Sequence, residues 1–329
     1  MADSSTILVT GGAGYIGSHT CKILAGAGYT PVVYDSLDLG HRWAVKYGPL
    51  VEGDLSDGKR LREALSGHRA GAVVHFAGST YVGESMGNPR KYFRNNLANS
   101  LNLIEAMQDT GVETLVYSST CATYGYPETI PIPEDHPQRP VSPYGDSKYA
   151  VERAIRWFGE AYGLRWVALR YFNAAGADPD GEIGEDHDPE THLIPIVIEA
   201  ALGKRSHVDI FGTDYPTGDG TAVRDYVHVC DLGEAHRLAL EYLQRGGESS
   251  AFNLGTGNGH SVREVIQAVG RAGGREAPFQ ETGRRPGDPA ELIADARRAS
   301  ESLGWRPRLS GLDKIVETAW NWHTKAKAP

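Results

Sequence analysis

The chain has 329 residues, of which 40% are hydrophobic, and this is enough for one large α/β domain or two domains of ordinary size. A formal net charge of −9, with basic residues only in short groups, excludes the broad cationic surface of proteins that bind nucleic acid or anionic membranes. No run approaches the roughly 18 apolar residues of a membrane span, and three scattered cysteines with no signal-peptide pattern predict a cytoplasmic protein.

Short apolar runs alternate with stretches of helical periodicity in the first half of the chain. The predicted strands cover residues 6–10, 31–34, 72–76, 114–118 and 166–170, and the predicted helices cover residues 16–27, 59–65, 91–108 and 144–162. Strands and helices that alternate in this way form parallel sheets with helical crossovers. We therefore predict an α/β fold with a Rossmann-type, doubly wound parallel sheet in residues 1–174.

The character of the sequence changes after residue 173. A loop rich in Gly, Pro, Asp and Glu covers residues 176–190, and its length indicates part of a site rather than a simple connector. A strand end followed by a helix is predicted at 227–243, and further helices are predicted at 261–270 and 312–323. We predict a smaller C-terminal α/β substrate domain over residues 175–329, with part of 226–245 packing back on the first domain.

A glycine-rich motif, Thr10-Gly-Gly-Ala-Gly-Tyr-Ile-Gly17, separates the first predicted strand from the first helix. Gly11 permits a tight turn, Gly14 lets the backbone approach a pyrophosphate, and Gly17 allows the helix to pack closely on the strand. Asp35 ends the second strand, where an acid accepts the ribose hydroxyls of a dinucleotide and repels a 2′-phosphate. The pattern predicts a dinucleotide site that prefers NAD to NADP.

A second motif, Tyr144-Gly-Asp-Ser-Lys148, puts a phenol and an ammonium group on one face of a helix that starts after Ser142-Pro143. This spacing alone is common on solvated helices. Upstream, however, a predicted strand ends in three hydroxyl residues, of which Thr120 is the last. Doubly wound folds bind ligands at this carboxyl edge of the sheet, so the two motifs together indicate a catalytic site.

These motifs, in this order, resemble the extended short-chain dehydrogenase/reductase family. Further strings are similar to those of its UDP-glucose 4-epimerase group, and the similarity extends from about residue 7 to residue 323. They are His75-Phe-Ala-Gly78, Val82-Gly-Glu-Ser85, Ser118-Ser-Thr-Cys-Ala-Thr-Tyr-Gly125, Leu169-Arg-Tyr-Phe-Asn173, Asp214-Tyr-Pro-Thr217 and Val223-Arg-Asp-Tyr-Val-His-Val229.

The resemblance implies a role for individual residues. Thr120, Tyr144 and Lys148 match the catalytic residues, with Tyr144 as the acid/base and Lys148 also holding the nicotinamide ribose. The positions implied to contact NAD are Gly11, Gly14, Tyr15, Ile16, Gly17, Asp35, Ser36, Asp54, Leu55, Phe76, Ala77, Gly78, Asn96, Tyr144, Lys148 and Phe172. The positions implied to contact the UDP-sugar are Thr120, Tyr144, Asn173, His192, Leu193, Arg224, Arg285, Asp288 and Leu292.

Two positions depart from the family pattern. Thr80 stands where many bacterial relatives have Lys, so one cation on the cofactor side is missing, and His192 replaces the usual Asn. Asp186, His187, Asp188, Glu190 and His192 are close in sequence but match no known metal-binding spacing, so no metal is expected.

The implied activity is NAD-dependent inversion of C4 in a UDP-hexose through a transient 4-keto sugar. Cys121-Ala122 stand where a 4,6-dehydratase carries Asp-Glu, and Leu292 replaces a Tyr that restricts the pocket to glucose and galactose. N-acetylated hexoses are therefore expected as further substrates, with UDP-pentose epimerase, dehydratase or a non-catalytic NAD sensor as alternatives. The family also implies a homodimer through helices 91–108 and 144–162, whose apolar residues include Leu101, Ile104, Ile155 and Phe158.

Overall fold

Fourteen strands in the computed structural model, which describes residues 3–285 and 287–325, build a central sheet and three small ones. In chain order they are β1 (Asp3–Thr10), β2 (Thr30–Asp35), β3 (Leu50–Glu52), β4 (Ala70–His75), β5 (Thr114–Thr120), β6 (Arg165–Tyr171), β7 (Asn173–Ala175), β8 (Val208–Phe211), β9 (Val223–Arg224), β10 (Tyr226–His228), β11 (Ser250–Leu254), β12 (His260–Ser261), β13 (Phe279–Thr282) and β14 (Glu291–Leu292). The helices are α1 (Tyr15–Gly26), α2 (Gly58–Gly67), α3 (Val82–Gly87), α4 (Pro89–Tyr92), α5 (Asn99–Thr110), α6 (Pro143–Tyr162), α7 (Leu193–Ala201), α8 (Val229–Gln244), α9 (Val262–Gly273), α10 (Arg297–Leu303) and α11 (Leu312–Thr324).

The central sheet has seven parallel strands in the spatial order β11-β6-β5-β4-β1-β2-β3. The chain winds from β1 to one edge, returns to β4 and continues to the other edge, so the strand order reverses between β1 and β4. This arrangement confirms the predicted doubly wound α/β fold. Ligands of such folds bind at the carboxyl ends of the strands, beside the reversal point.

Alternate side chains of the central strands pack into two apolar layers, one on each face of the sheet. In β1, Val9 packs in the layer with α1, α8 and α10, and Leu8 packs in the layer with α2, α5 and α6. Because both faces are covered, the strands read as continuous apolar runs in the sequence.

The predicted helix over 91–108 is wrong as a single regular helix. It is divided into α4, a π-helical segment at Phe93–Ala98 and α5. The helix α7 was not predicted, because its sequence is apolar on nearly all sides and contains Pro195. That proline lies in the first helical turn, where a missing N–H disrupts no helical hydrogen bond.

The second half of the chain forms its own core and also completes the first. The helices α7, α9 and α11 pack around apolar residues that include Ile198, Val265 and Val316. In contrast, β11 pairs with β6 in the central sheet, and α8 packs on α1, where Gly233 lies against Thr20 and Ile23. The division at residue 174 remains a prediction. Within residues 3–285 and 287–325, no helix has the length and apolarity to span a membrane.

Candidate active site

The glycine-rich motif forms a tight turn between β1 and α1. Gly11 has a φ of 72°, and its N–H donates to the oxygen of Tyr34 at 2.9 Å. A Cβ on Gly17 would lie only 2.1 Å from the oxygen of Gly11, so any larger residue would push α1 away from the strand. A Cβ on Gly14 would meet a single neighbour, the Gly11 oxygen at 3.3 Å, and Gly14 itself is partly exposed. The start of α1 is therefore accessible to a phosphate group.

The first two residues of α1 fix this helix and the loop that precedes α7. Tyr15 donates from its hydroxyl to the oxygen of Gly176 at 2.5 Å, and its ring packs edge-on against His187 with centroids 6.2 Å apart. Ile16 is partly buried against the apolar layer that contains Val9. The loop from 176 to 190 thus closes one side of the glycine turn.

Asp35 is held at the end of β2 with its carboxylate beside the turn. Its two oxygens accept hydrogen bonds from the backbone N–H groups of Ala13 and Leu37, each at 2.9 Å. Burial raises the pKa of this carboxyl, and the hydrogen bonds from Leu37 and Ala13 act in the opposite direction. Each oxygen keeps a second lone pair, so the carboxylate can accept hydroxyl groups. The neighbouring Ser36 hydroxyl donates to Asp38 at 3.1 Å.

The ends of β3 and β4 place a second set of predicted residues beside the turn. Leu55 is buried, whereas Asp54 is exposed and accepts the N–H of Ser56 at 2.7 Å. After β4, the N–H groups of Phe76 and Ala77 donate to the oxygen of Thr10 at 2.9 and 3.1 Å. These hydrogen bonds join the segment after β4 to the end of β1, and β1 and β4 are the two neighbouring strands at the reversal point.

Asn96 lies beneath the segment that follows β4. Its amide oxygen accepts the N–H of Ser79 at 2.7 Å, and its amide nitrogen donates to the Ser79 oxygen at 2.9 Å and to the Ser147 hydroxyl at 3.0 Å. A Cβ on Gly78 would lie 3.1 Å from the Asn96 amide oxygen and 3.6 Å from Lys148 Nζ. Gly78, Asn96 and Lys148 therefore lie next to one another, and the Asn96 amide fixes the conformation of the backbone at Ser79.

The three residues predicted to be catalytic come together at the carboxyl end of β5. Ser142 caps α6 by accepting the N–H of Gly145 at 3.2 Å, which directs the first turn of the helix toward the strand end. Lys148 Nζ donates to the oxygen of Ser118 at 2.9 Å, and Thr120 hydrogen-bonds the side chain of Tyr144.

Burial shifts both titratable members of this group toward their neutral forms. The Tyr144 phenol is buried, which raises its pKa; Tyr171 adds to the rise and the Thr120 hydrogen bond opposes it. Burial lowers the pKa of Lys148 to about 8, and the charge of Glu152 opposes the change. A further positive charge in this space would therefore be needed to make Tyr144 a base near neutral pH.

A separate group of predicted residues surrounds β9 in the second half of the chain. Arg224 forms an ion pair with Asp288, and its guanidinium also donates to the oxygen of Val223 at 2.7 Å. The Arg285 guanidinium stacks on the ring of Phe211 at 4.3 Å from the centroid. Two guanidinium groups in this region suit the binding of a diphosphate.

The polar group around β9 is linked to the catalytic group through a small apolar cluster. Leu292 pairs with Arg224 across two strands and packs against Cys121, Phe172 and their neighbours. Cys121 directly follows Thr120; burial raises the pKa of its thiol to about 12, and the charge of Arg224 opposes the rise. Asn173, the first residue of β7, donates from its amide to the oxygen of Asp225 at 3.2 Å. Leu292 thus connects the strand that carries Arg224 to the residues that follow Thr120.

His192 lies in a different environment from its predicted partners. Its ring hydrogen-bonds the buried Glu185 carboxylate, and its backbone N–H donates to Glu190 at 2.8 Å. Although burial opposes it, Glu185 raises the pKa of His192. Leu193, the next residue, begins α7 and is partly buried. The His192 ring is therefore already engaged by an acid within the protein.

Comparison with known proteins agrees with this geometry. Residues 7–255 match the sequence model of the NAD dependent epimerase/dehydratase family. The chain belongs to this family. It is 52% identical over 319 residues to the UDP-glucose 4-epimerase of Lacticaseibacillus casei, an alignment that covers 97% of this chain and 96% of the relative.

Two solved structures of the epimerase/dehydratase family have nearly the same fold. The UDP-glucose 4-epimerase of Brucella ovis in complex with NAD has a TM-score of 0.95 and 51% identity, over 96% of this chain and 97% of the other. The UDP-glucose-4-epimerase of Stenotrophomonas maltophila, with bound NAD and formylated UDP-arabinopyranose, has a TM-score of 0.94 and 40% identity, over 97% of each chain.

The structure adds residues to this family site that the sequence analysis did not assign. Tyr171 hydrogen-bonds Ser118 through its hydroxyl and lies close enough to Tyr144 to affect its pKa. Glu152 forms a buried ion pair with Arg170 at 2.6 Å and accepts the hydroxyl of Ser119. Glu152 could have been found in the sequence, since Tyr144, Lys148 and Glu152 are spaced by four residues and share one helix face. Tyr171 offered no comparable signal.

Proposed function

We propose that the chain is an NAD-dependent UDP-hexose 4-epimerase that interconverts UDP-glucose and UDP-galactose. The observation that carries the proposal is the meeting of Thr120, Tyr144 and Lys148 at the carboxyl end of β5, beside Gly78. A non-catalytic NAD sensor has no need for these three groups together. The UDP-glucose 4-epimerases among the relatives support the same activity.

The described residues fit NAD. The partly exposed Gly14 and the start of α1 suit a pyrophosphate, and the anchored Asp35 carboxylate suits the hydroxyls of the adenosine ribose. Phe76, Ala77 and Gly78 would line the path to Lys148, which would hold the nicotinamide ribose. When bound, NAD supplies a reversible hydride acceptor and, in its oxidised form, the positive charge that this buried site requires.

The catalytic residues would handle the proton of the sugar. Tyr144, as phenolate, would remove the proton of the 4-hydroxyl while Thr120 hydrogen-bonds the phenol oxygen and the substrate. Lys148 would stabilise the phenolate by its charge, and its hydrogen bond to Ser118 fixes its position. The same Tyr144 would return the proton after the 4-keto sugar has turned its opposite face to the site.

Inversion requires a nucleotide that is held firmly and a sugar that is free to rotate. Arg224 and Arg285 would bind the diphosphate, with Asn173, Leu193 and Asp288 near the same part of the substrate. His192 would contribute only by fixing the start of α7 next to Leu193, since Glu185 engages its ring and Glu190 its backbone N–H. Rotation about the diphosphate linkage then presents either face of C4.

The sugar pocket is proposed to accept an N-acetyl group as well. Leu292 is partly buried on the cluster that contains Phe172, and it is shorter than the Tyr expected in enzymes restricted to glucose and galactose. UDP-GlcNAc and UDP-GalNAc would therefore be further substrates. A UDP-pentose is the alternative, and the arabinopyranose ligand of the Stenotrophomonas maltophila structure gives this alternative some support.

We also propose that the protein is a cytoplasmic homodimer. Ile104 and Ile155 are buried within the protein, so these two predicted interface residues cannot contact a second copy. Trp157 and Tyr162 on α6, however, are 63% and 60% exposed, so both side chains are available for contact with a partner helix. The free cysteines Cys21, Cys121 and Cys230 agree with a reducing compartment.

The test is a product analysis of the purified protein with UDP-galactose. We expect UDP-glucose to form with no net reduction of NAD, and we expect Tyr144→Phe to lower turnover by roughly a factor of 1,000 or more. The variant should keep its circular dichroism spectrum and its NAD content, because only the ionisable oxygen is lost. Net accumulation of reduced cofactor or a dehydrated sugar product would contradict the proposal.

A further inference from the structure

Four side chains with metal-binding atoms meet in the loop between β7 and α7. They are Glu185, His187, Glu190 and His192, and one ligand atom of each lies within 4.8 Å of all the others. His187 Nδ1 is 3.0 Å from an oxygen of Glu185 and 3.9 Å from an oxygen of Glu190. His192 Nδ1 hydrogen-bonds the same Glu185 oxygen and is 3.8 Å from the same Glu190 oxygen. Two imidazoles and two carboxylates therefore surround one point.

This cluster is held in shape by contacts outside it. Trp322 donates from its indole N–H to the backbone oxygen of Glu185 at 2.8 Å. Glu190 accepts the backbone N–H groups of Thr191 and His192 at 2.7 and 2.8 Å, which fixes its carboxylate next to the start of α7. The side chains of both acids are at most 6% exposed. The acids are thus positioned before any ligand arrives, and the two histidines lie between them and solvent.

The composition and spacing of the cluster suit zinc. Zinc takes four ligands in a tetrahedron, with bonds to histidine nitrogen and carboxylate oxygen of about 2.0–2.2 Å, so neighbouring ligand atoms lie roughly 3.3 Å apart. The histidine–carboxylate separations of 3.0, 3.8 and 3.9 Å bracket this value, whereas His192 and Glu185, which are hydrogen-bonded to each other, would move apart to admit the ion. Two carboxylates also balance the charge of a divalent ion.

We propose that Zn²⁺ binds this cluster through His187, His192, Glu185 and Glu190. The sequence predicts no metal here, because the spacing of these residues matches no known metal-binding motif. The ion would be structural, since four protein ligands leave no open position for a substrate. It would tie the start of α7 to the loop whose His187 packs on Tyr15, beside the glycine turn.

The proposal is independent of the epimerase activity and is tested by zinc binding alone. Protein with its purification tag removed is stripped with a chelator and titrated with ZnCl₂, with bound metal counted by mass spectrometry of the dialysed sample. We expect one zinc per chain. We expect His187→Gln and His192→Asn, whose side chains are partly exposed, to weaken binding at least tenfold each without changing the circular dichroism spectrum.

A matched control identifies the binding site. His207 is about as exposed as His187, and it pairs with a single acid, Asp209, so His207→Gln should bind zinc like the unchanged protein. Anomalous diffraction at the zinc edge should place the ion between His187 and His192. The proposal is overturned if zinc binds with less than one equivalent, if both cluster variants retain full affinity, or if the ion is found at a cysteine.

Thermal unfolding supplies a second measurement. Because zinc would bind the folded loop and not the unfolded chain, it should raise the melting temperature of the unchanged protein. The rise should vanish in His187→Gln and persist in His207→Gln. An equal rise in both variants would place the stabilising ion elsewhere.

Discussion

Lys148 donates a hydrogen bond from Nζ to the main-chain oxygen of Ser118 at 2.9 Å, and this contact joins the catalytic helix α6 to the end of β5. The ammonium is buried, and its pKa is lowered to about 8 by that burial. Because Nζ lies 3.6 Å from where a Cβ on Gly78 would lie, we propose that this one group serves both the Tyr144 phenol and the cofactor.

We expect Lys148→Met to lower turnover by about 100-fold or more and to weaken retention of NAD, because a buried charge and a ribose contact are removed together. The pH profile of turnover should also move to higher pH, since Tyr144 loses a neighbouring cation that favours its phenolate. Steady-state rates between pH 6 and 10, with NAD content measured after gel filtration, check both effects. An unchanged pH profile would show that Lys148 is not the electrostatic partner of Tyr144.

The Arg224–Asp288 pair presents a guanidinium group to the proposed diphosphate site. Arg224→Lys should raise the KM for UDP-galactose about tenfold with a change in kcat of less than about threefold, because an ammonium cannot form the paired hydrogen bonds of a guanidinium. Arg284→Lys is the control, since Arg284 pairs with the exposed Asp214. Equal KM values in the two variants would show that Arg224 does not bind the substrate.

Leu292→Tyr tests the size of the sugar pocket. We expect the ratio of kcat/KM for UDP-GlcNAc to that for UDP-glucose to fall by about 10- to 200-fold, because the phenol ring would occupy the space beside the sugar 2-position. Leu292→Met keeps the volume and should leave the ratio nearly unchanged. Leu292 does not set the size of the sugar pocket if the original protein does not turn over the N-acetylated sugars, or if the Tyr variant keeps the original substrate preference.

The exposed side chains on α6 test the proposed assembly. Light scattering at micromolar concentration should give the mass of a dimer for the unchanged protein and of a monomer for Trp157→Glu combined with Tyr162→Glu, since charges would replace the apolar contact. Phe279→Glu changes an equally apolar but distant residue, 47% exposed, and should leave the dimer intact. A monomeric mass for the unchanged protein refutes the proposal.

His75 gives a prediction about acid stability. Burial lowers its pKa to about 3, and the ring is held neutral between the hydroxyls of Thr10 and Ser100. An unfolded histidine, with a pKa near 6.5, binds a proton that the folded one refuses, so His75 lowers the stability progressively as the pH falls from about 7 toward 3. Between pH 7 and 5.5 its contribution to the free energy of unfolding falls by about 1 kcal/mol.

His75→Gln should remove this part of the pH dependence. Urea unfolding without NAD at pH 7 and 5.5 measures the difference in the free energy of unfolding between the two pH values, and we expect that difference to be about 1 kcal/mol smaller in the variant. His207→Gln, at a partly exposed histidine, should behave like the unchanged protein. Identical pH dependence in all three proteins would mean that His75 is not excluded from protonation.

The sequence predicts the central sheet and the glycine turn between β1 and α1 well, because both depend on local sequence patterns. The period of the apolar residues identified five of the seven central strands, and Gly11, Gly14 and Gly17 mark a turn that tolerates no larger residue at Gly17. β3 has only three residues and was too short to detect. β11 follows a long segment of the second half and joins the sheet through tertiary pairing with β6, which no local pattern reveals.

The candidate site was predictable where residues stand in motifs and not where the fold brings them together. Tyr144 and Lys148 share a helix face by spacing alone, whereas the Tyr171–Ser118 hydrogen bond depends on the pairing of β5 with β6. The meeting of Glu185 with His192 depends on how an irregular loop folds back on itself. Periodicity carries no information about such a loop, so the partner of His192 could not be foreseen.

The π-helical segment at Phe93–Ala98 sets the rotational phase between α4 and Asn96. A π turn contains one more residue than its α-helical equivalent, and each residue of an α-helix turns the chain by about 100°. Removal of a single residue from this segment would let the helix run regularly, and every side chain on one side of the deletion would be turned by about that angle relative to the other. Asn96 would then point away from Ser79 and Ser147. The extra residue thus acts as a spacer that aligns a buried amide with the end of β4.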